Sequence, residues 1–239
     1  MNAFCLAPPM YGRSYSIYGR SQWDTIYGRA VLSKKYKWGS VVCPKWAGHL
    51  RAKELSEHLI LDLPHKRVGD FIWDYFGKCI INSKVRDVFE HEKVTGYSLI
   101  PVEFDKIKDP NFPGFKDFSF FQLLPTGSGG HAHKDSGIFL VKECPFCGLK
   151  KYSSFQKGLI VDEKNWDGTD IFLLVEYSGH ILVTEKVKNI VVANSFTNCT
   201  LEVSNLLRWS KGIPLPEDSP KDYTDEELDD LVKRVLNRP

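Results

Sequence analysis

The chain has 239 residues, 42% of them hydrophobic and 13% aromatic, and 32 Lys+Arg stand against 30 Asp+Glu for a formal net charge of +2. That length can bury one large core or two small ones, and the near-balance of charge argues against a nucleic-acid binder, which carries a basic excess on one face. No basic-then-apolar leader opens the chain, the longest apolar runs (171–175 and 190–193) are too short to span a bilayer, and six scattered cysteines do not make a disulfide scaffold, so a cytoplasmic protein with reduced thiols and no membrane partner is expected.

In chain order, residues 1–50 form an aromatic-rich N-terminal region. Tyr-Gly-Arg occurs three times, from Tyr11, Tyr18 and Tyr27, among Tyr15, Trp23, Tyr36 and Trp38. Its uneven spacing is not that of a solenoid; local turns at the glycines or a Tyr/Arg-rich contact surface both fit. Cys43-Pro44-Lys45-Trp46 follows and resembles a Cys-x-x-Cys knuckle whose second cysteine has become tryptophan, with His49 nearby as a substitute ligand.

Residues 51–210 read as a duplicated α+β core. Within it, 80–101 predicts a strand, a helix capped by Asn82 or Ser83 with Val85, Val88 and Phe89 on one face, a left-handed exit at Gly96, and a second strand over 97–104. A Phe-rich strand is expected over 117–124, then a flexible loop over 126–137, which holds four glycines. Cys144-Pro145-Phe146-Cys147-Gly148 comes next, and a strand buried on both faces is expected over 170–177. Residues 182–203 then repeat 80–101 at an offset of 102: Val85, Val88 and Phe89 meet Val187, Ile190 and Val191, and Thr95 meets Thr197. Residues 211–239 predict a proline-rich linker and a C-terminal helix, with Thr224 and Glu227 as its capping box.

The knuckle at 144–148 is the strongest chemical signal. Two thiolates in a tight turn grip one tetrahedral metal, and the following glycine lets backbone N–H groups point at the sulfurs. One knuckle supplies only two of the four ligands that structural zinc takes. The predicted metal set is therefore Cys43, His49, Cys144 and Cys147, with His131 and His133 as other candidates; a turn that outlived its metal is the alternative. A redox dithiol requires a helix after the motif, and Lys150, Lys151, Ser153 and Ser154 do not suggest one. No Gly-x-Ser-x-Gly, His-Glu-x-x-His or phosphate loop is present, so no catalytic residues are assigned and no enzyme is expected.

The order of a helix-Thr-Gly-Tyr-x-Leu-x-Pro-Val unit (85–102), a Cys-Pro-x-Cys-Gly knuckle, an Asp-Gly-x-Asp-Ile-Phe strand start (167–172) and a Val-Thr-Glu-Lys helix start (183–186) resembles the double-CXXCG-motif immunity proteins of bacterial polymorphic toxin systems. The resemblance covers roughly residues 36–205. It implies a cytoplasmic antitoxin that occludes the active site of a cognate toxin domain, and two knuckles that meet at one structural zinc. Cys144 and Cys147 fit the second knuckle and Cys43 begins the first, while Trp46 stands where a cysteine is expected. A zinc-knuckle enzyme and a nucleic-acid-binding regulator are the alternatives. For the toxin-facing surface the candidates are the loop 126–137, the Tyr/Arg-rich N-terminus, and the acidic stretch from Glu217 to Asp230.

Overall fold

The computed structural model describes residues 1–8, 30–45, 49–54, 56–64, 68–74, 77–111, 115–155 and 157–207. The Tyr-Gly-Arg repeats, Trp46, the proline-rich linker, the acidic stretch and the expected C-terminal helix lie outside the described residues.

The chain is α+β and strand-dominated, with two α-helices among the described residues. The first strands are β1 (Ala3–Ala7), β2 (Val31–Leu32), β3 (Trp38–Val42), β4 (Leu50–Glu54), β5 (Leu59–Leu63), β6 (Phe71–Trp73) and β7 (Cys79–Asn82). Helix α1 (Ser83–His91) leads to β8 (Tyr97–Ile107), β9 (Phe120–Pro125), β10 (Gly127–Ser128), β11 (Leu140–Glu143), β12 (Lys150–Tyr152), β13 (Ile171–Leu173) and β14 (Ile181–Thr184). Helix α2 (Glu185–Ala193) and β15 (Thr200–Val203) complete the described elements.

Two large sheets have the orders β10-β13-β14-β1-β15 and β2-β5-β8-β9-β7-β6. Side chains alternate across a strand, so each sheet feeds two cores. Phe4 and Leu6 of β1 join a central core with the inward faces of both helices, while Cys5 and Ala7 face a second core built on Phe155, Leu159 and Phe172. In the other sheet Cys79 and Ile81 enter the central core and Ile80 enters a third, with Leu59, Leu61 and Phe120. β1 lies between β14 and β15, so the N-terminus closes the sheet that carries α2.

The two strand–helix segments keep one spacing: β7 and α1 precede β14 and α2 by 102 residues at every boundary. In each segment the strands before and after the helix flank one antiparallel strand, β9 in the first and β1 in the second. Each first strand also pairs on its other side with a short antiparallel strand, β6 or β13, and an aspartate precedes both.

Those aspartates reach across to the opposite segment. Asp70 accepts from the Thr197 backbone N–H and hydroxyl, both at 2.8 Å, and from Asn82 Nδ2 at 3.1 Å, with Lys84 Nζ 3.5 Å away. Asp170 accepts from the Thr95 backbone N–H at 3.0 Å and its hydroxyl at 3.2 Å, from the Thr184 hydroxyl at 3.1 Å, and from Lys186 Nζ at 3.0 Å. Each threonine Oγ1 in turn accepts the aspartate's own N–H. Thus Thr95 and Thr197, Lys84 and Lys186, and Asn82 and Thr184 occupy corresponding positions at the offset of 102. Burial alone would raise both carboxyls, but the Thr197 and Asn82 hydrogen bonds with Lys84 hold Asp70 low, and Lys186, Thr95 and Thr184 do the same for Asp170.

Three expectations are corrected. The 126–137 segment is held in place along its length. β10 pairs with β13, Gly129 N–H donates to Leu173 O at 2.9 Å, Ala132 bridges to Val161, and a 3-10 turn forms over Lys134–Ser136. A Cβ on Gly127 would lie 1.9 Å from Thr169 Oγ1, so this glycine serves close packing and not looseness. The strand expected over 117–124 is Phe120–Pro125; Phe115 and Phe118 enter the third core from the preceding turn, which is why the segment is Phe-rich. The strand expected over 170–177 ends at Leu173, because the chain turns there and Tyr177 N–H closes on Leu174 O at 3.2 Å. The helix exits also differ in detail: Lys93 and Ser195, each near φ 50°, make the first left-handed turn, and Gly96 and Asn198 make the second.

Candidate metal centre

Two hairpins outside the large sheets build the centre. β3 and β4 pair from Trp38↔Glu54 to Val42↔Leu50, so Cys43 follows the last pair and His49 precedes it. Cys43 N–H donates to His49 O at 3.3 Å across this turn. β11 and β12 likewise end on Glu143↔Lys150, and the knuckle is the turn between them. Cys144 N–H donates to Leu149 O at 2.9 Å and Gly148 N–H to Cys144 O at 2.8 Å. Gly148 sits at φ 65°, a left-handed conformation that β-carbon residues rarely take. A two-residue spacer between cysteines inside a tight turn therefore puts both sulfurs on one side.

The two turns face each other. Cys43 Sγ lies 3.8 Å from Cys144 Sγ, and Cys147 Sγ lies 3.8 Å from His49 Nδ1. All four ligand atoms fall within 4.8 Å of one another. Two sulfurs bound at ~2.3 Å with a tetrahedral angle are themselves about 3.8 Å apart, so the donor set fits a four-coordinate metal. A disulfide would need ~2.05 Å, and none of the six cysteines is in a disulfide. Cys43 and Cys144 are buried, and His49 and Cys147 are half-buried, so the cluster is closed on one side and reachable on the other.

The knuckle also prepares a thiolate. Burial by itself would raise the Cys144 thiol, but the N–H groups of Phe146 and Cys147, with the Cys147 and His49 side chains, outweigh it and bring it down to about 6. At Cys147 the Leu149 N–H works downward, yet burial and the Cys144 and Cys43 sulfurs leave it raised. A divalent ion binds the deprotonated forms, so metal uptake releases protons here. The remaining thiols differ in kind: burial pushes Cys5 and Cys199 up to about 12 and Cys79 well above its ordinary range, which suits inert core side chains.

All four predicted ligands come together; His131 and His133 do not join them. His131 Nδ1 sits 2.8 Å from Glu176 Oε1, and His133 accepts from Asp135 N–H at the start of the 3-10 turn. The sequence reasoning missed Lys45, whose ammonium lies 5.3 Å from the Phe146 ring centroid and links the two turns beside the ligands. Among the described residues, no helix is long and apolar enough to cross a membrane. The chain matches no protein-family model and no curated protein.

Proposed function

We propose that this chain is a cytoplasmic immunity protein that binds a cognate toxin domain and occludes its active site, with a structural zinc joining its two knuckles. The observation that carries the reading is the meeting of Cys43 and His49 with Cys144 and Cys147 at one centre. A double knuckle is the most specific feature the family resemblance implies, and it requires two turns a hundred residues apart in the chain to converge. Histidine in place of the fourth cysteine keeps a donor set that structural zinc accepts. Binding is the proposed activity, and no enzymatic role is assigned.

The two strand–helix–strand segments are, in the same proposal, copies of one ancestral unit. The common offset and the reciprocal Asp70–Thr197 and Asp170–Thr95 contacts support this. A rigid scaffold of that kind presents a preformed binding surface and limits the ordering cost of association.

The test is co-expression with a candidate cognate toxin domain. Rescue of growth and co-purification of a stable complex are expected. Growth arrest with both proteins soluble and unassociated would overturn the immunity reading. Elemental analysis checks the zinc: about one equivalent per chain is expected from a complete four-ligand set.

A further inference from the structure

Resting on the immunity reading, we infer that the tip of the two-hairpin metal module is a docking surface for a partner protein that presents acidic groups around an apolar centre. The near-neutral chain conceals a local basic excess. Among the described side chains, the two hairpins carry Lys45, Lys142, Lys150 and Lys151 against Glu143, a net +3 where the whole chain has +2. Three thiolates and one divalent ion would reduce that to about +2.

Shape points the same way. Both hairpins are separate two-stranded sheets, so their turns are not absorbed into the large cores. The metal ligands pack inward and leave Val42, Pro44, Lys45, Pro145 and Phe146 exposed at the tip. Val42 is 51% and Phe146 53% exposed, large values for apolar side chains beside a buried cluster. Lys45 lies over the Phe146 ring, which sets a cation at the margin of an apolar patch. Further along β11 and β12, Lys142 and Lys151 are directly opposed, which extends the positive charge away from the tip.

An aromatic anchor with a charged rim is the composition of an interface hot spot, and the cations set the association rate with an acidic partner. Nucleic acid would use the lysines, but its phosphates gain nothing from Val42, Pro44 and Pro145. These apolar contacts favour a protein.

The metal-loaded full chain is titrated by fluorescence anisotropy with a synthetic Glu/Asp/Leu peptide, and separately with oligothymidylate of equal charge. The acidic peptide should bind more tightly and weaken as salt rises, and Lys45→Glu and Phe146→Ser should each reduce its affinity about tenfold. Metal content and thermal midpoint should be unchanged in both variants. Wild-type affinity in both variants, or a preference for oligothymidylate lost in the same variants, would overturn the proposal. The same variants tested for rescue from the toxic domain separate the two readings. Full rescue by both would remove the tip from the toxin interface and leave the immunity function standing. No rescue by the wild type would end the immunity reading while the peptide titration still decides the surface.

Discussion

At the scale of the residue, the candidate metal centre turns on its fourth donor. In the sequence Trp46 stands where a Cys-x-x-Cys knuckle begun at Cys43 would carry its second cysteine, and His49 Nδ1 stands 3.8 Å from Cys147 Sγ. His49→Cys should therefore retain about one equivalent of zinc, while His49→Ala and Cys144→Ser should lose most of it at matched free metal. Elemental analysis of dialysed protein reads both, and equal zinc in His49→Ala would show that His49 is not a ligand. A second residue controls acid stability. Burial lowers His180 to about 4, whereas an unfolded histidine takes a proton near ~6.5. Acid therefore favours the unfolded chain: the contribution of this histidine is greatest above ~6.5, falls as pH drops towards about 4, and levels off below. Urea titrations of wild type and His180→Gln across that window should show the slope reduced in the variant.

At the scale of the element, the two strand–helix segments are joined by exchanged contacts, so each stabilises the other. Removing a carboxylate leaves a threonine N–H and hydroxyl without their acceptor, which costs about 1–3 kcal/mol. Asp70→Ala and Asp170→Ala should each destabilise by at least that amount. Double-mutant cycles locate the exchange: Asp70 should couple to Thr197 and be additive with Thr95, and Asp170 should show the reverse. Coupling within one segment instead would refute the cross-connection. Both carboxyls are held low in the folded state, so their contribution is present above the unfolded value near ~3.9 and is lost as pH falls through the lowered folded values. The helices were legible because Val85 and Phe89, and Val187 and Val191, recur at helical spacing. The aspartates were not, since they differ by 100 residues where the helices differ by 102. The second hairpin is two residues longer between its aspartate and its helix, while the pairings Phe71↔Ile81 and Ile171↔Val183 keep equivalent register.

At the scale of the whole molecule, the metal module and the layered sheets are separable. A two-stranded hairpin alone is marginal in water, and β3–β4 and β11–β12 each form only such a sheet. Metal removal should therefore loosen the hairpins and spare the layers. Hydrogen exchange after chelation should rise over 38–54 and 139–152 and stay low in β1, β7, β9 and β14, while far-UV circular dichroism changes little. Global unfolding on chelation would instead make the metal essential to the central core.

The sequence by itself determined the local structures whose causes lie within a few residues: two amphipathic helices, the first capped by Asn82, the turn that aligns Cys144 with Cys147, and the four donor types. Each depends on periodicity or turn chemistry. Only the tertiary structure decided how distant parts meet. It put β1 between β14 and β15, drew the glycine segment at 126–137 against β13, carried Asp70 to Thr197, and brought the turn at Cys43 to the knuckle at Cys144. Pairing between segments a hundred residues apart depends on burial and hydrogen-bond satisfaction summed over the whole chain, and no local pattern records that sum.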